Sequence, residues 1–147
     1  MKQEGYISLK TKNKKRNPKQ RNLLTTGAVI VLVITALSGI AVQKKTERIC
    51  SEAERLLAVS EEYVLAGDFA QAELAAGELK DFWAEQIAYL GFFYEHDAAN
   101  RIAEGIARLC VLAVEDAEAA FAAEAETLKA QLKVLSEYDT VNAVNII

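Results

Sequence analysis

Two hydrophobic patterns follow one another along the chain. From Leu23 to Val42 the segment LLTTGAVIVLVITALSGIAV runs for twenty residues without a charge. At about 1.5 Å per residue it makes about 30 Å of helix, the thickness of a hydrocarbon core. The hydroxyls of Thr25, Thr26, Thr35 and Ser38 can bond back to the helix's own carbonyls, so they do not forbid insertion. Beyond this run the apolar positions thin out to every third or fourth residue. Ile49, Ala53, Leu56, Leu57, Ser60, Tyr63 and Val64 form one face of a helix over about 44–66, predicted to continue the apolar helix without a break. Gly67-Asp68 ends it, because glycine suits the left-handed closing turn and aspartate can cap the next helix. The stripe resumes at Phe69, Ala72, Ala76, Leu79 and Trp83 and runs on through Ile87, Leu90 and Phe93. A separate register, Ala99, Ile102, Ile106, Leu109 and Ala113, marks a third helix, so the chain should change direction between Gly91 and Asn100. The last helix is expected near Glu115-Asp116, whose carboxylates suit a helix amino terminus. It carries Ala119, Leu128, Leu132 and Leu135 and fades at Tyr138-Asp139.

These elements predict an all-α protein: one amino-terminal transmembrane helix, then an antiparallel bundle of two helical hairpins built from three to four helices. The division is a basic cytoplasmic tail over 1–22, the span over 23–42, an exported helical domain over 43–140 and a carboxyl-terminal tail over 141–147. A shift of 47 lays LAGDFAQAELAA (65–76) over LAVEDAEAAFAA (112–123) with six of twelve positions identical, five of them alanine. Such a repeat would describe two hairpins side by side. The segment YVLAGDFAQAELAAGEL also resembles the glycine turn of a tetratricopeptide-type hairpin.

Charge gives the run at 23–42 a direction. Ahead of it stand eight basic residues against the single acid Glu4. Basic residues close to a span are retained in the cytoplasm, which puts the amino terminus inside and residue 43 onward outside. A basic arm of this kind can also bind nucleic acid, but directly before a span it fits topology and anionic lipid, at about 1 kcal/mol per basic residue. Gly39-Ile40-Ala41 offers a competing reading, a signal peptidase site after Ala41. The apolar run, however, exceeds the usual core of about 7 to 15 residues in a signal peptide. Glu47-Arg48-Ile49 before Cys50 is no lipobox. Residues 43–147 carry nine basic and twenty acidic side chains, a net of −11, which disfavours nucleic acid and anionic surfaces as partners of the exported domain. The lone Pro18 leaves that domain uninterrupted.

Little in the chain points to chemistry. Cys50 and Cys110 could form a disulfide outside the cell or pack as free thiols on helix stripes. Tyr94-Glu95-His96-Asp97 is the one place where a histidine meets carboxylates. Adjacent residues on a helix point apart, however, and the residue three before His96 is Phe93 rather than a ligand. Asn100 is the expected hydrogen-bond partner. With no phosphate loop and no nucleophile beside a base, no enzyme activity, cofactor or metal is expected. Phe82, Trp83, Tyr89, Phe92, Phe93 and Tyr94 are six of eleven aromatic residues, suited either to the bundle core or to a lipid interface. Thr35 and Gly39 form a small-xxx-small pair through which membrane helices can approach.

The span, the turn GDFAQA, Trp83, EHDAANRIAEGIARL, LKAQLKVLSEY and the ending Val144-Asn145-Ile146-Ile147 together resemble the uncharacterised bacterial family called domain of unknown function 4363. The resemblance covers nearly everything from residue 23 onward. It implies a small single-span helical protein of Gram-positive, often spore-forming, bacteria, whose gene neighbours that of a YetF-like membrane protein. It also makes Trp83, His96 and Asn145 family-typical positions without assigned roles. The basic tail is longer than that family implies. The functional expectation is an accessory or scaffolding module for another membrane or envelope protein, or for self-association. The alternative is an exported module holding a small or lipidic ligand beneath Phe92, Phe93 and Tyr94.

Overall fold

The computed structural model describes the backbone of residues 18–94 and 96–144 and the side chains of 25–94 and 97–137. All regular structure among them is helical: α1 (Pro18–Leu65), α2 (Phe69–Phe93), α3 (His96–Val114) and α4 (Glu118–Val144). Pro18 opens α1, where its missing N–H costs nothing. The expected continuity of the apolar and amphipathic segments holds, since one helix of 48 residues carries both. The change of direction expected between Gly91 and Asn100 falls at Tyr94, where α2 ends with the Tyr94 N–H donating to the Leu90 carbonyl.

Contacts divide the chain into two compact units, one ending at Ser38 and one beginning at Gly39. In the first, the described part is helix alone. Its valines, isoleucines and leucines lie open on every face, as at Val31 (64% exposed) and Leu32 (70%). A helix apolar all round, with nothing over it, is suited to hydrocarbon. Thr35 and Ser38 donate to the carbonyls of Val31 and Ile34 at 2.9 and 2.8 Å. Their polar groups are therefore satisfied within the helix.

The second unit is a helical bundle. Leu57, Leu79, Leu90, Ile102, Ile106, Leu109, Leu128 and Leu132 are fully buried around Trp83 and Phe121. Polar contacts between helices fix which elements meet. Ser60 Oγ donates to the Ala72 carbonyl at 2.9 Å, and Tyr89 Oη to the Val42 carbonyl at 3.4 Å, joining α1 to α2. The Trp83 indole N–H donates to the Ala99 carbonyl at 3.1 Å, joining α2 to α3. Arg108 pairs with Glu124 across α3 and α4, and Lys129 with Glu61 across α4 and α1, each at 2.8 Å. At Gly105 a Cβ would stand 2.6 Å from Leu128 Cδ2, so the absence of a side chain is what lets α3 approach α4 there.

The same turn occurs twice. After α1, the N–H groups of Gly67 and Asp68 donate to the carbonyls of Val64 and Tyr63; after α3, those of Asp116 and Ala117 donate to Ala113 and Leu112. Each is a Schellman closure, whose central residue takes a left-handed conformation. Gly67 has φ 73° and Asp116 has φ 52°. Gly67 corresponds to Asp116, Asp68 to Ala117 and Ala72 to Phe121, which sets the structural repeat at 49 residues rather than 47. Burial follows the same spacing: Ala53 and Ile102, Leu57 and Ile106, Ser60 and Leu109, Val64 and Ala113, Ala76 and Ala125, Leu79 and Leu128, and Trp83 and Leu132 are all buried. The alignment at 47 matched alanines and missed the turn.

Other boundaries shift as a result. Glu115 and Asp116 lie in the second turn, and α4 starts at Glu118, which supplies the acid of its first turn. Ala119 is exposed, while Phe121 and Ala125 occupy the core. Tyr63, expected on the buried face, is 37% exposed. The helix α4 runs to Val144, through the expected fade at Tyr138-Asp139 and into the segment read as a tail.

Candidate functional site

The aromatic group near Trp83 splits in two. Trp83 is 1% exposed, and its indole is tied to the first turns of α3, so it belongs to the core. Tyr94 is half-buried against that core. Phe92 and Phe93 instead face outward, 81% and 47% exposed. Their rings meet edge to face at 4.8 Å, and Phe93 stands 5.0 Å from Tyr89. Tyr89 anchors this group. Its hydroxyl bonds the Val42 carbonyl, and the Lys45 ammonium lies 3.6 Å from its ring centroid, a cation over an aromatic face. The Thr46 hydroxyl donates to the same Val42 carbonyl at 3.1 Å.

His96 is the first residue of α3. Its side chain lies outside the described ones, as do Glu95 and Asn145. Among the described residues no group of three His, Cys, Asp or Glu side chains could hold a metal ion. Thr35 and Gly39 both lie exposed on α1, and a Cβ at Gly39 would meet nothing within 4 Å.

Cys50 and Cys110 are both free. Burial, aided by the nearby Glu54 carboxylate, pushes the Cys50 thiol up to about 12. Burial also raises Cys110, against the opposing pull of Lys80. Both shifts favour the neutral thiol over the thiolate, which is the nucleophilic form.

The surface of the bundle carries shallow grooves. One between α2 and α3 is lined by Gly77, Lys80, Cys110, Val111 and Val114. Another between α3 and α4 is lined by Ile102, Arg101, Gln131 and Val134, and there Gln131 Oε1 is buried with no hydrogen-bond partner among the described residues. Two more lie on α3 around Val111 and along α4 beside Glu54. None of these four is lined by Phe92, Phe93 or Tyr94.

Comparison with protein-family models, curated proteins and solved structures gives no match for the chain. Sequence reasoning grouped Trp83 with Phe92 and Phe93, which the structure separates. It did not find the Tyr89 contacts to Val42 and Lys45, which join two helices and leave no local signal; only the Tyr89–Phe93 ring pair was legible, from its i, i+4 spacing.

Proposed function

We propose that the chain is a bitopic membrane protein, amino terminus in the cytoplasm, whose acidic exported domain works by contact as an accessory or scaffolding subunit of another membrane or envelope protein. Its helices close as two antiparallel hairpins, each made at one of the two Schellman turns. The observation that carries this reading is the contrast in burial along α1. An 18-residue stretch of the candidate span has a mean hydropathy of 2.2 and none of it is covered. From Ile49 on, the apolar face of the same helix is enclosed by the bundle. The uncovered part needs a hydrocarbon solvent, and the covered part needs water outside it. The eight basic residues ahead of the span favour the inward amino terminus.

Contact rather than chemistry is supported by the neutral thiols and by a core filled with large side chains. Val111 and Val114, 54% and 61% exposed beside a groove, offer apolar surface for a partner. Through the family resemblance the partner is a YetF-like membrane protein; through Thr35 and Gly39 it is a second copy of the span. The exported ligand-binding module stays as the competing reading.

Crosslinking of the full-length protein in its native membrane, followed by mass spectrometry that reads the mature amino terminus, tests the proposal. One stoichiometric membrane partner on an uncut chain supports it. A chain beginning at Val42 without a protein partner overturns it in favour of the ligand-binding module.

A further inference from the structure

We infer that the carboxyl end of α2, through Tyr89, Phe92 and Phe93, docks onto the outer surface of the lipid bilayer in which the span is anchored. The inference rests on the reading of residues 23–42 as a membrane span and adds a second lipid contact made by the exported domain itself.

Among the described residues Phe92 is the most exposed large apolar side chain, at 81%, and Phe93 beside it is 47% exposed. Phenylalanine carries a large apolar area and no polar handle, so two adjacent rings held open to water are unfavourable unless something apolar covers them. Their location names the cover. The Tyr89 hydroxyl is bonded to the carbonyl of Val42, the last residue of the apolar run, and the Phe93 ring lies tilted against that same tyrosine at 5.0 Å. A residue in register with the end of a span lies where hydrocarbon gives way to headgroups. There a tyrosine, with an apolar ring and a wet hydroxyl, is favoured.

The polar side of the arrangement fits too. Lys45, three residues beyond Val42, lays its ammonium over the Tyr89 ring at 3.6 Å. From there a lysine can reach lipid phosphate while its stem covers apolar surface. Directly after the span the charge is basic, with Lys44, Lys45 and Arg48 against Glu47, whereas Glu95 and Asp97 follow Phe93 in the chain, so the contact is carried by the rings and by Lys45 rather than by the net charge of the domain. Phe92 and Phe93 thus extend an interfacial belt from the end of the span onto α2.

The test uses the full-length chain reconstituted in phosphatidylcholine–phosphatidylglycerol vesicles, with and without acyl-chain bromination, which quenches nearby tryptophan. Two single variants each add one indole to the native Trp83, whose own emission the unaltered chain supplies: Leu32→Trp reports on the span and Phe92→Trp on the docking face. The expected result is that the added emission of both falls by about half in brominated vesicles, with Phe92→Trp quenched more by bromine near the glycerol backbone than by bromine near the chain end. Quenching of Leu32→Trp with none of Phe92→Trp overturns the docking and leaves the span standing. Quenching of neither overturns both. Should Phe92→Trp lose helicity by far-ultraviolet circular dichroism, Phe93→Trp reports on the same face under the same outcomes.

Discussion

The turn at Gly67 and the turn at Asp116 make the same backbone hydrogen bonds from different residues. At the first, glycine takes the positive φ without a Cβ penalty, and the following Asp68 caps α2 by accepting from the Gln71 N–H at 3.2 Å. At the second, an aspartate takes the positive φ and the following residue is Ala117, which has no side chain with which to cap α4. The first turn is encoded locally. The second, lacking both signals, is held in place by what the helices on either side bury.

That burial differs between the equivalent positions. The first helix pair meets through small residues, Ser60 and Ala72, joined by a hydroxyl-to-carbonyl bond; the second has Leu109 and Phe121 at the same places, all four buried. Strong local turn chemistry thus accompanies a thin contact, and weak turn chemistry a thick one. Stability can be reached by either route, because a left-handed turn costing about 1 kcal/mol is small beside a buried phenylalanine.

Three experiments, built on four substitutions that make the two halves alike, test this contrast. Phe121→Ala gives the second half the small residue of the first, and should cost about 3 to 5 kcal/mol by denaturant unfolding of the detergent-solubilised chain. A loss below about 1 kcal/mol would mean that Phe121 does not hold the second turn. Asp116→Gly with Ala117→Asp gives the second turn the residues of the first. Each change should stabilise by about 0.5 to 1 kcal/mol, from relief of the positive φ and from a new cap. An unchanged midpoint would show that tertiary packing already saturates this turn.

The third acts through pH. Cys50 corresponds to Ala99, and its thiol is held up to about 12 by burial. An unfolded thiol ionises near its ordinary value of 9.0 while the folded one stays neutral. Above pH 9 the unfolded state therefore binds fewer protons, and stability falls as pH rises toward 12. Cys50→Ala should remove that part of the alkaline decline, as followed by thermal unfolding across the pH range. An identical decline in both chains would place its origin elsewhere.

Residue pattern alone determined much of this protein. Twenty residues without a charge specify a helix apolar on every side, and stripes at three and four specify amphipathic helices, because both follow from helical periodicity rather than from neighbours. Gly67-Asp68 announced its turn for the same reason, its chemistry being contained in two adjacent residues. Tertiary structure decided what depends on partners distant in sequence. An aspartate takes the place of glycine at position 116, exposed in a turn whose flanking helices bury Leu109 and Phe121. Trp83 and Phe92 read alike in sequence, yet one is covered and the other open, because the contact of Trp83 with Ala99 and of Tyr89 with Val42 fixes which face of α2 turns inward. The repeat was visible only as alanines at the wrong spacing, since what recurs at 49 is burial and a hydrogen-bond pattern, neither of which requires the same residue twice.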